Sequence, residues 1–598
     1  QLFLQRAYQA RLAFQLSVEN CPEVVRICRL VEGMPLALEL AAAWLPVLSC
    51  REIADEIARS IDFLTTTMRD VPERQRSMRA VFDHSWQLLS QKEQHALRRM
   101  SVFRGGFTRQ AAEAVAGADL TFLSALLAKS FLRRTSEGRY NLHELVRQYI
   151  ADRLAEATEE EEQARKLHSA YYMDFVTGLE GELKGARQLQ ALAALDAEID
   201  NIRSAWRWAV RRRDLADIRK PLRALWYFFE MHAWYQEAEA TFGWAARELS
   251  SGFEPDGEPD NGTWALREYL RALQGWSYLR LGKLEKSQRL LQSSLASLRS
   301  RGISVELGDV LYYSGVVAWL SGDYARAQTC CLEALAVAEQ VGDQWDIAIA
   351  TGNIGLVAQA LGEYEEAQKR FERANATFRR LGEHRMVSVG LYFLGTLHRT
   401  LGAHDEAQAC FRESLTLSKV VGERWIYGMA LSQLGEIRTL LGDNVEAIDL
   451  LDESLTLLRE LGEYWSTLHA LNNLGAATLA TGAYAESRAA YAEALALGWE
   501  RQALPEVLDT VAGLASWLAQ KGNMEQALIS AFFVLSHPAA TEQTKEAVRQ
   551  LRSEMEARLG PDQLEAAQAK ALDITLEALV MGLLGQAESP GQGSLARQ

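Results

Sequence analysis

Apolar positions recur along most of this chain at the three- and four-residue spacing of amphipathic helices, and short glycine-containing turns separate the helical stretches. From about residue 266 to residue 537 the pattern repeats with a constant period of 40 residues. One glycine marks the end of the first helix in each of seven units: Gly282, Gly322, Gly362, Gly402, Gly442, Gly482 and Gly522. A fixed period of this length predicts a solenoid whose units pack against their neighbours.

Two further glycine series indicate that each unit consists of two helices. The series halfway between the first turns is usually followed by an acidic residue, which suits a helix start: Gly302, Gly342, Gly382, Gly422 and Gly462. The other series lies inside the first helix: Gly275, Gly315, Gly355, Gly395, Gly435 and Gly475. Glycine within a helix costs about 1 kcal/mol relative to alanine, so we expect a neighbouring helix to approach closely at these positions.

The first 157 residues have a different pattern. Helices are predicted at 77–89, 91–100, 108–116 and 120–130, strands at 131–134 and 140–142, and a last helix at 143–155. Helices followed by a β-hairpin predict a winged helix. We therefore predict an all-α chain with one short hairpin, divided into a helical subdomain (1–70), a winged helix (71–157), irregular helical repeats with a loop (158–262), a superhelix (263–582) and a disordered tail (583–598).

Composition supports this division and narrows the possible partners. Only 11 of 598 residues are proline, and none lies between Pro259 and Pro505, which favours helix over turn-rich β-structure. Residues 1–157 contain 21 Lys and Arg against 18 Asp and Glu, whereas the rest contains 43 against 61. An acidic superhelix disfavours nucleic acid as its partner. The sequence has no apolar run of about 18 residues and no secretory leader pattern, so we expect no membrane contact and a cytoplasmic location.

Two families share these motifs. The small-large-small spacing around a G-x-Y-x-x-A turn resembles the tetratricopeptide repeat in a 40-residue form. The strings GMPLALELAA, SMRAVFDHSWQLLSQKEQHALRRMSVFRGGFT, LLAKSFL and YNLHELVRQYIADRL, in this order, resemble the C-terminal half of the nucleotide-binding module of STAND proteins, the signal-transduction ATPases with numerous domains. That class is related to NB-ARC switches and to large ATP-dependent LuxR-type activators. In it, a superhelix after the winged helix is the usual sensor.

The STAND resemblance implies three nucleotide-binding residues. A Gly-x-Pro motif covers the adenine ring in that family, and Gly33 and Pro35 match it. A histidine of the winged helix touches the β-phosphate of ADP and keeps the resting state closed, and His143 matches it, although Glu144 follows where the family has Asp. The alternatives remain open, because proline is common at helix starts and a lone histidine after a strand is commonly structural.

The chain lacks the G-x-x-x-x-G-K-[ST] phosphate loop, so we expect it not to be an enzyme by itself and to bind no cofactor alone. The resemblance implies ADP or ATP with Mg²⁺ in a longer protein, whose upstream ATPase domain would be a partner. The sequence starts inside an amphipathic pattern, and we interpret it as part of a longer polypeptide. The recognition helix of the winged helix would carry only Lys129, which argues against direct DNA binding, and no metal-binding spacing occurs.

The first helices of the units are expected to line a concave groove. Placing the repeats in the phase of the family assigns seven residues to that face: Trp276, Tyr312, Trp319, Tyr392, Arg399, Glu436 and Asn472. Aromatic and arginine side chains are typical binding anchors, with core packing as the alternative for each aromatic residue. Trp345, Trp425 and Trp465 recur near helix starts, which favours a structural role.

Together these observations predict the switch and sensor portion of a STAND regulator, most consistent with control of transcription. The superhelix would bind a peptide, a protein or a small-molecule inducer, and binding would release an ADP-locked module and allow the protein to form homo-oligomers. Two alternatives stay open: a passive tetratricopeptide scaffold for protein interactions, and an antiviral STAND sensor.

Overall fold

The computed structural model describes residues 1–10, 14–65, 77–250, 261–556 and 559–585. The chain begins with α1 (Leu2–Ala10), α2 (Cys21–Leu30), α3 (Pro35–Ala42) and α4 (Cys50–Arg59), followed by a short 3-10 helix at Ile61–Phe63. Local chemistry determines where α4 starts. The Ser49 hydroxyl accepts the amide of Glu52, and the Glu52 carboxylate accepts the amide of Ser49. This reciprocal pair satisfies two backbone donors that the first turn would otherwise leave exposed.

The predicted winged-helix order is confirmed. The elements are α5 (Met78–Gln87), α6 (Gln91–Met100), α7 (Arg109–Ala116), α8 (Leu120–Ala128), β1 (Leu132–Arg134), β2 (Tyr140–Leu142) and α9 (Glu144–Ala155). The strands pair antiparallel, with Leu132 opposite Leu142, and both side chains are buried. Beneath the hairpin the rings of Phe103 and Phe107 stack at 4.3 Å between centroids. The hairpin is therefore held by apolar burial as well as by its hydrogen bonds.

The next elements are α10 (Thr158–Gly178), α11 (Glu180–Leu183), α12 (Gln188–Arg212), α13 (Leu215–Arg219), α14 (Leu222–Met231) and α15 (Tyr235–Ser250). The chain divides into two compact units, one made of Gln1–Leu179 with Ala193–Leu222 and the other of Glu180–Leu192 with Arg223–Gln598. The predicted segment 158–262 thus contributes to both units. Most of the loop expected after α15, residues 251–260, lies outside the described residues.

Seven helical pairs with a 40-residue period follow, as predicted. They are α16 (Asn261–Arg280) with α17 (Leu284–Arg299), α18 (Val305–Leu320) with α19 (Tyr324–Val341), α20 (Gln344–Ala360) with α21 (Tyr364–Leu381), α22 (His384–Thr400) with α23 (His404–Val421), α24 (Arg424–Leu440) with α25 (Asn444–Leu461), α26 (Tyr464–Ala480) with α27 (Tyr484–Arg501), and α28 (Leu504–Gln520) with α29 (Met524–Ser536). The expected all-α superhelix of 40-residue repeats is confirmed.

Close packing explains the glycines within the first helices. At Gly395 in α22, an added Cβ would lie 2.6 Å from the ring of Phe411 in α23. The same relation, between a glycine and the residue 16 positions later, holds at Gly355 with Phe371 and at Gly475 with Tyr491. Real Cβ atoms essentially never approach so closely, so a side chain at these positions would require the facing ring to shift. The turn after each first helix has its glycine at positive φ, for example +77° at Gly402.

After the repeats the chain forms α30 (Glu542–Glu556), α31 (Pro561–Asp573) and α32 (Leu576–Gly585). Their apolar faces pack with α29 in one core that includes Phe533, Val548 and Leu579. Residues 586–598 of the predicted tail lie outside the described residues. Within the described part, no single helix is long and apolar enough to cross a membrane. The pair α7 and α8 together has the length and composition of a membrane span, but the two helices are bent by 103° relative to each other.

Candidate functional site

The first helices of the repeats line two cavities in the second compact unit, of about 190 Å³ and about 390 Å³. All seven residues that the sequence assigned to the groove lie in their walls. The first cavity contains Trp276 and Tyr312, Trp319 borders both, and the second contains Tyr392, Arg399, Glu436 and Asn472. The repeat phase inferred from the sequence therefore assigns residues that the structure places in the walls of these cavities.

Aromatic side chains dominate the first cavity. The rings of Trp276 and Tyr312 lie 5.5 Å apart, and the indole nitrogen of Trp276 donates to Glu230 at 3.0 Å. Trp319 and Trp465 approach to 5.8 Å between centroids, although they belong to the second and sixth repeats. These two rings stand where the two cavities meet. Trp465 thus has a position in the groove that its recurrence near helix starts did not reveal.

Charged groups are buried among these rings. Arg280 donates to Glu463 at 2.7 Å and to the Tyr235 hydroxyl at 2.6 Å, and its guanidinium lies 5.3 Å from the ring of Trp425. Glu463 is only 6% exposed. The pair joins the end of α16 to the residue that precedes α26, so the first and sixth repeats meet across the groove. Trp345 and Trp425, expected to be structural, also lie in the wall of the first cavity.

The second cavity has more polar walls. Arg399 forms an ion pair with Glu436 at 2.5 Å and donates through Nε to the side-chain oxygen of Gln433 at 3.1 Å. The amide of Asn472 donates to Asp509 at 3.4 Å, and the oxygen of Asn472 accepts from the Thr510 hydroxyl at 2.9 Å. Three predicted groove residues, Arg399, Glu436 and Asn472, therefore take part in one polar wall.

Sequence reasoning missed two carboxyl groups of this cavity, Glu506 and Asp509 of α28. Glu506 is 5% exposed and accepts from the indole nitrogen of Trp465 at 2.5 Å. Burial raises the pKa of Glu506 to about 8, and burial together with the nearby Glu436 raises the pKa of Asp509 to about 6. Comparison of equivalent repeat positions could have revealed them, because two repeats earlier the buried Ile426 and Met429 occupy the same positions.

The segment after α29 closes the second cavity. The Tyr324 hydroxyl donates to the backbone oxygen of Ala539 at 3.0 Å, and the Thr544 hydroxyl donates to Asp509 at 3.4 Å. Residues 541, 543, 544, 547 and 548 line the cavity. This wall comes from outside the 40-residue repeats, so the repeat pattern alone does not predict it.

The predicted nucleotide-binding residues lie together in the first compact unit. Gly33 has φ of +73°, and an added Cβ there would meet no atom within 4 Å; Pro35 starts α3. His143 precedes α9, is 4% exposed, and accepts the amide of Leu145 at its Nδ1. Its Nε2 lies 3.8 Å from the carboxylate of Glu32, the residue before Gly33. The structure thus brings the Gly-x-Pro motif and the histidine to one place.

Glu32 was not predicted and is central to this contact. Its carboxylate accepts from the amide of Glu144 at 3.1 Å and from Arg133 at 3.1 Å. Burial lowers the pKa of His143, so the ring is neutral near pH 7, and with Nδ1 accepting, the proton resides on Nε2. The Nε2 proton faces the Glu32 carboxylate and the backbone of Val31, both of which oppose the effect of burial on the pKa of His143. A neutral imidazole donor at the N-terminus of α9 suits a phosphate oxygen, whereas the Glu32 carboxylate beside it repels one.

Comparison with protein families decides the identity of the repeats. The Tetratricopeptide repeat family model matches residues 306–374, 346–419 and 427–498. The repeats of this chain are tetratricopeptide repeats. The chain is also 32% identical over 240 residues to the "Putative HTH-type transcriptional regulator" of Mycobacterium tuberculosis and of Mycobacterium bovis. That match covers 38% of this chain and 27% of the relative, so the chain spans about a quarter of the length of these curated relatives.

Solved structures with tetratricopeptide repeats are similar as well. One is the STAND protein with a tetratricopeptide repeat sensor from Pyrococcus horikoshii, with 12% identity, a TM-score of 0.45, and coverage of 95% of this chain and 74% of that one. Another is a Rap protein complexed with Competence and Sporulation Factor, with 15% identity, a TM-score of 0.45, and coverage of 65% and 99%. The predicted resemblance to the tetratricopeptide repeat is confirmed by the family model over residues 306–419 and 427–498.

Proposed function

We propose that this chain is the ligand-sensing and switch portion of a cytoplasmic STAND-type transcription regulator. One observation carries the proposal: all seven residues assigned to the groove from the sequence line two adjacent cavities with aromatic and ionic walls. Aromatic and arginine side chains around a concave site are the usual anchors of a ligand.

The dimensions of the groove narrow the class of ligand. Small-molecule sites are about 300–1,000 Å³ in volume, and the second cavity has about 390 Å³. The groove is also bridged by Arg280 with Glu463 and by Trp319 with Trp465. A folded protein does not fit between these bridges. Among the three classes of partner expected from the sequence, the cavities favour a small-molecule inducer or the end of a peptide.

The switch would lie where Glu32 meets His143 in the first unit. In the full-length protein, Gly33 and Pro35 would face the adenine ring of ADP and His143 Nε2 would donate to a phosphate. ADP would supply the charge that holds this contact closed, and its exchange for ATP with Mg²⁺ would release the contact. Because this chain has no phosphate loop, we propose that it hydrolyses no ATP without the ATPase domain. A ligand shifts such a switch only if it binds the open state more tightly.

Gel filtration of the full-length protein with ADP, with ATP, and with ATP plus candidate inducers tests the proposal. We expect a monomer with ADP and a homo-oligomer with ATP and inducer. The variant His143→Ala should form the oligomer without inducer and activate a transcription reporter constitutively. A matched control is His95→Ala, whose half-exposed side chain lies on α6. Monomers under every condition, together with an unchanged His143→Ala, would instead support the passive scaffold.

Only the output of the full-length protein distinguishes a transcription regulator from an antiviral sensor. The similarity to mycobacterial regulators supports the first of these. Sequencing the gene upstream of Gln1 and testing promoter binding by the full-length protein would separate the two, because an antiviral sensor would carry an effector enzyme in place of a DNA-binding domain.

A further inference from the structure

The second cavity combines aromatic walls with an excess of carboxyl groups. Six aromatic side chains line it: Trp319, Tyr324, Tyr392, Phe393, Trp465 and Tyr491. Glu506 and Asp509 lie one helical turn apart on α28 and face the same space. Aromatic faces and carboxylates both attract cations, and neither attracts anions. The composition of the wall therefore favours a cation over an anion.

The other ionisable groups of the wall do not neutralise these two acids. Arg399 of α22 is already paired with Glu436 of α24 at 2.5 Å. His469 of α26 is neutral near pH 7, because burial lowers its pKa to about 4. On α30, Lys545 pairs with Glu542 at 3.3 Å and does not line the cavity. Asp509 receives only neutral donors, the Asn472 amide and the Thr544 hydroxyl.

Glu506, which lines the cavity, also has a carboxyl oxygen without a hydrogen-bond partner among the described residues. Its Oε1 accepts from Trp465, and the Nε2 of His469 lies 3.8 Å from the same oxygen. Its Oε2 is fully buried and, among the described residues, has no hydrogen-bond partner. An unpaired buried carboxyl oxygen destabilises the fold, which makes it a poor structural element but a prepared ligand contact.

We infer that the second cavity binds a small organic cation, whose ammonium or guanidinium group contacts Glu506 and Asp509 and packs against Trp465 and Tyr392. The inference rests on the proposed sensing function and specifies the chemistry of the inducer. The ammonium or guanidinium group would act only as a hydrogen-bond donor. Its nitrogen protons would donate to the Oε2 of Glu506. Binding would also ionise Glu506, so a proton would leave the protein as the cation enters.

Isothermal titration calorimetry of the full chain with 1,4-diaminobutane tests this inference. The neutral 1,4-butanediol and the anionic succinate have the same four-carbon length and serve as charge controls. We expect binding of the diamine only, and tighter binding as the pH rises from 6 to 8, because the pKa values of the two carboxyl groups lie at about 6 and about 8. The tripeptide Lys-Gly-Gly carries the same ammonium groups on a peptide and would distinguish a peptide end from a free amine.

Two variants locate the site. Glu506→Gln and Asp509→Asn should each weaken diamine binding by about tenfold or more, since each removes a charged hydrogen-bond acceptor. Glu453→Gln removes an exposed carboxylate on α25 and should leave the affinity unchanged. Thermal unfolding of each variant confirms that it folds, and the pH series on the unaltered chain tests the inference even if a variant does not.

Several outcomes would overturn the inference: no binding of either the diamine or Lys-Gly-Gly, equal binding of butanediol, preferred binding of succinate, or diamine binding that Glu506→Gln and Asp509→Asn leave intact. None of these would decide whether the groove acts as a sensor. The gel-filtration series on the full-length protein uses nucleotide-dependent assembly and the His143→Ala variant, so a wrong ligand class and an absent switch give different results.

Discussion

Arg280 donates a hydrogen bond to Glu463 at 2.7 Å, although 183 residues separate them in the chain. Their side chains are 14% and 7% exposed. The bond links the first tetratricopeptide repeat to the sixth, and an added Cβ at the nearby Gly282 would contact Tyr464 and Arg501 of the same sixth repeat. The twist accumulated over the intervening repeats therefore returns the superhelix to its own start, which divides the groove into small cavities.

Replacing Arg280 with methionine should destabilise the superhelix by about 3 kcal/mol or more, because Glu463 would remain buried without its partner. Urea unfolding followed by circular dichroism measures the change. The exposed pair Arg459 and Glu493 is the matched control, since both side chains are 51% exposed at a separation of 2.6 Å. Arg459→Met should change stability by less than about 1 kcal/mol. Equal effects of the two variants would contradict a structural role for the buried pair.

A second prediction concerns the glycine within α22. Gly395→Ala should destabilise the superhelix by about 1–3 kcal/mol, because the new Cβ would lie 2.6 Å from the buried ring of Phe411. Gly352, in the equivalent first helix α20, is the control, since its added Cβ would meet Ala374 at an ordinary 3.7 Å. Gly352→Ala should be neutral or stabilise by up to about 1 kcal/mol. Urea unfolding of both variants tests the difference, and a neutral Gly395→Ala would show that Phe411 can move aside.

Local signals explain why so much of this fold could be predicted. Glycines such as Gly422 end helices through their own backbone conformation, and the acidic residue that follows, here Glu423, favours the next helix start. A repeat of these signals specifies the helices without knowledge of distant contacts. The inward face could also be predicted, because Tyr392 and Arg399 lie at a repeat phase common to all the units. The winged helix could be predicted for the same reason, because short-range alternation of apolar residues indicates its helices and strands.

The remaining features depend on contacts between distant residues. The contact of Arg280 with Glu463 depends on the twist accumulated over several repeats, which cannot be predicted from any short segment of the sequence. The acids Glu506 and Asp509 could be recognised only by comparing one repeat position with another. Glu32 escaped notice because a surface glutamate before a Gly-x-Pro motif is unremarkable until His143 is found 3.8 Å away.

A third prediction follows from the pKa of Glu506, which burial raises to about 8. In the unfolded chain the same group ionises near 4.5, so it destabilises the fold progressively as the pH rises from about 4.5 to 8. Glu506→Gln removes this penalty and should stabilise the superhelix at pH 7 by on the order of 3 kcal/mol, with little effect at pH 4.5. Thermal unfolding at both pH values measures the change. A variant that is both more stable and less able to bind diamine is what a ligand site predicts.

That result would be contradicted if Glu506→Gln destabilised the chain at pH 7 as much as at pH 4.5, since the carboxyl group would then be a structural acceptor for Trp465 and nothing more. Trp465→Phe separates the two roles, because it removes the indole donor while the Glu506 carboxyl group can still ionise, at a pKa raised further by the loss of that hydrogen bond. We expect it to lower stability at both pH values.

A last prediction concerns acid sensitivity of the first compact unit, where His168 is 3% exposed and burial lowers its pKa to about 4. Its Nε2 lies 3.3 Å from the side-chain oxygen of Asn201, a neutral partner. In the unfolded chain His168 binds a proton near pH 6.5, whereas in the folded chain it does so only near pH 4. The free energy of unfolding therefore falls as the pH drops from 6.5 toward 4, by about 2 kcal/mol at pH 5. His168→Gln keeps a donor for Asn201 and cannot be protonated. Its unfolding midpoint should therefore fall less between pH 7 and pH 5 than that of the unaltered chain. The control is His95→Gln at a half-exposed position, whose midpoint should fall by as much as that of the unaltered chain.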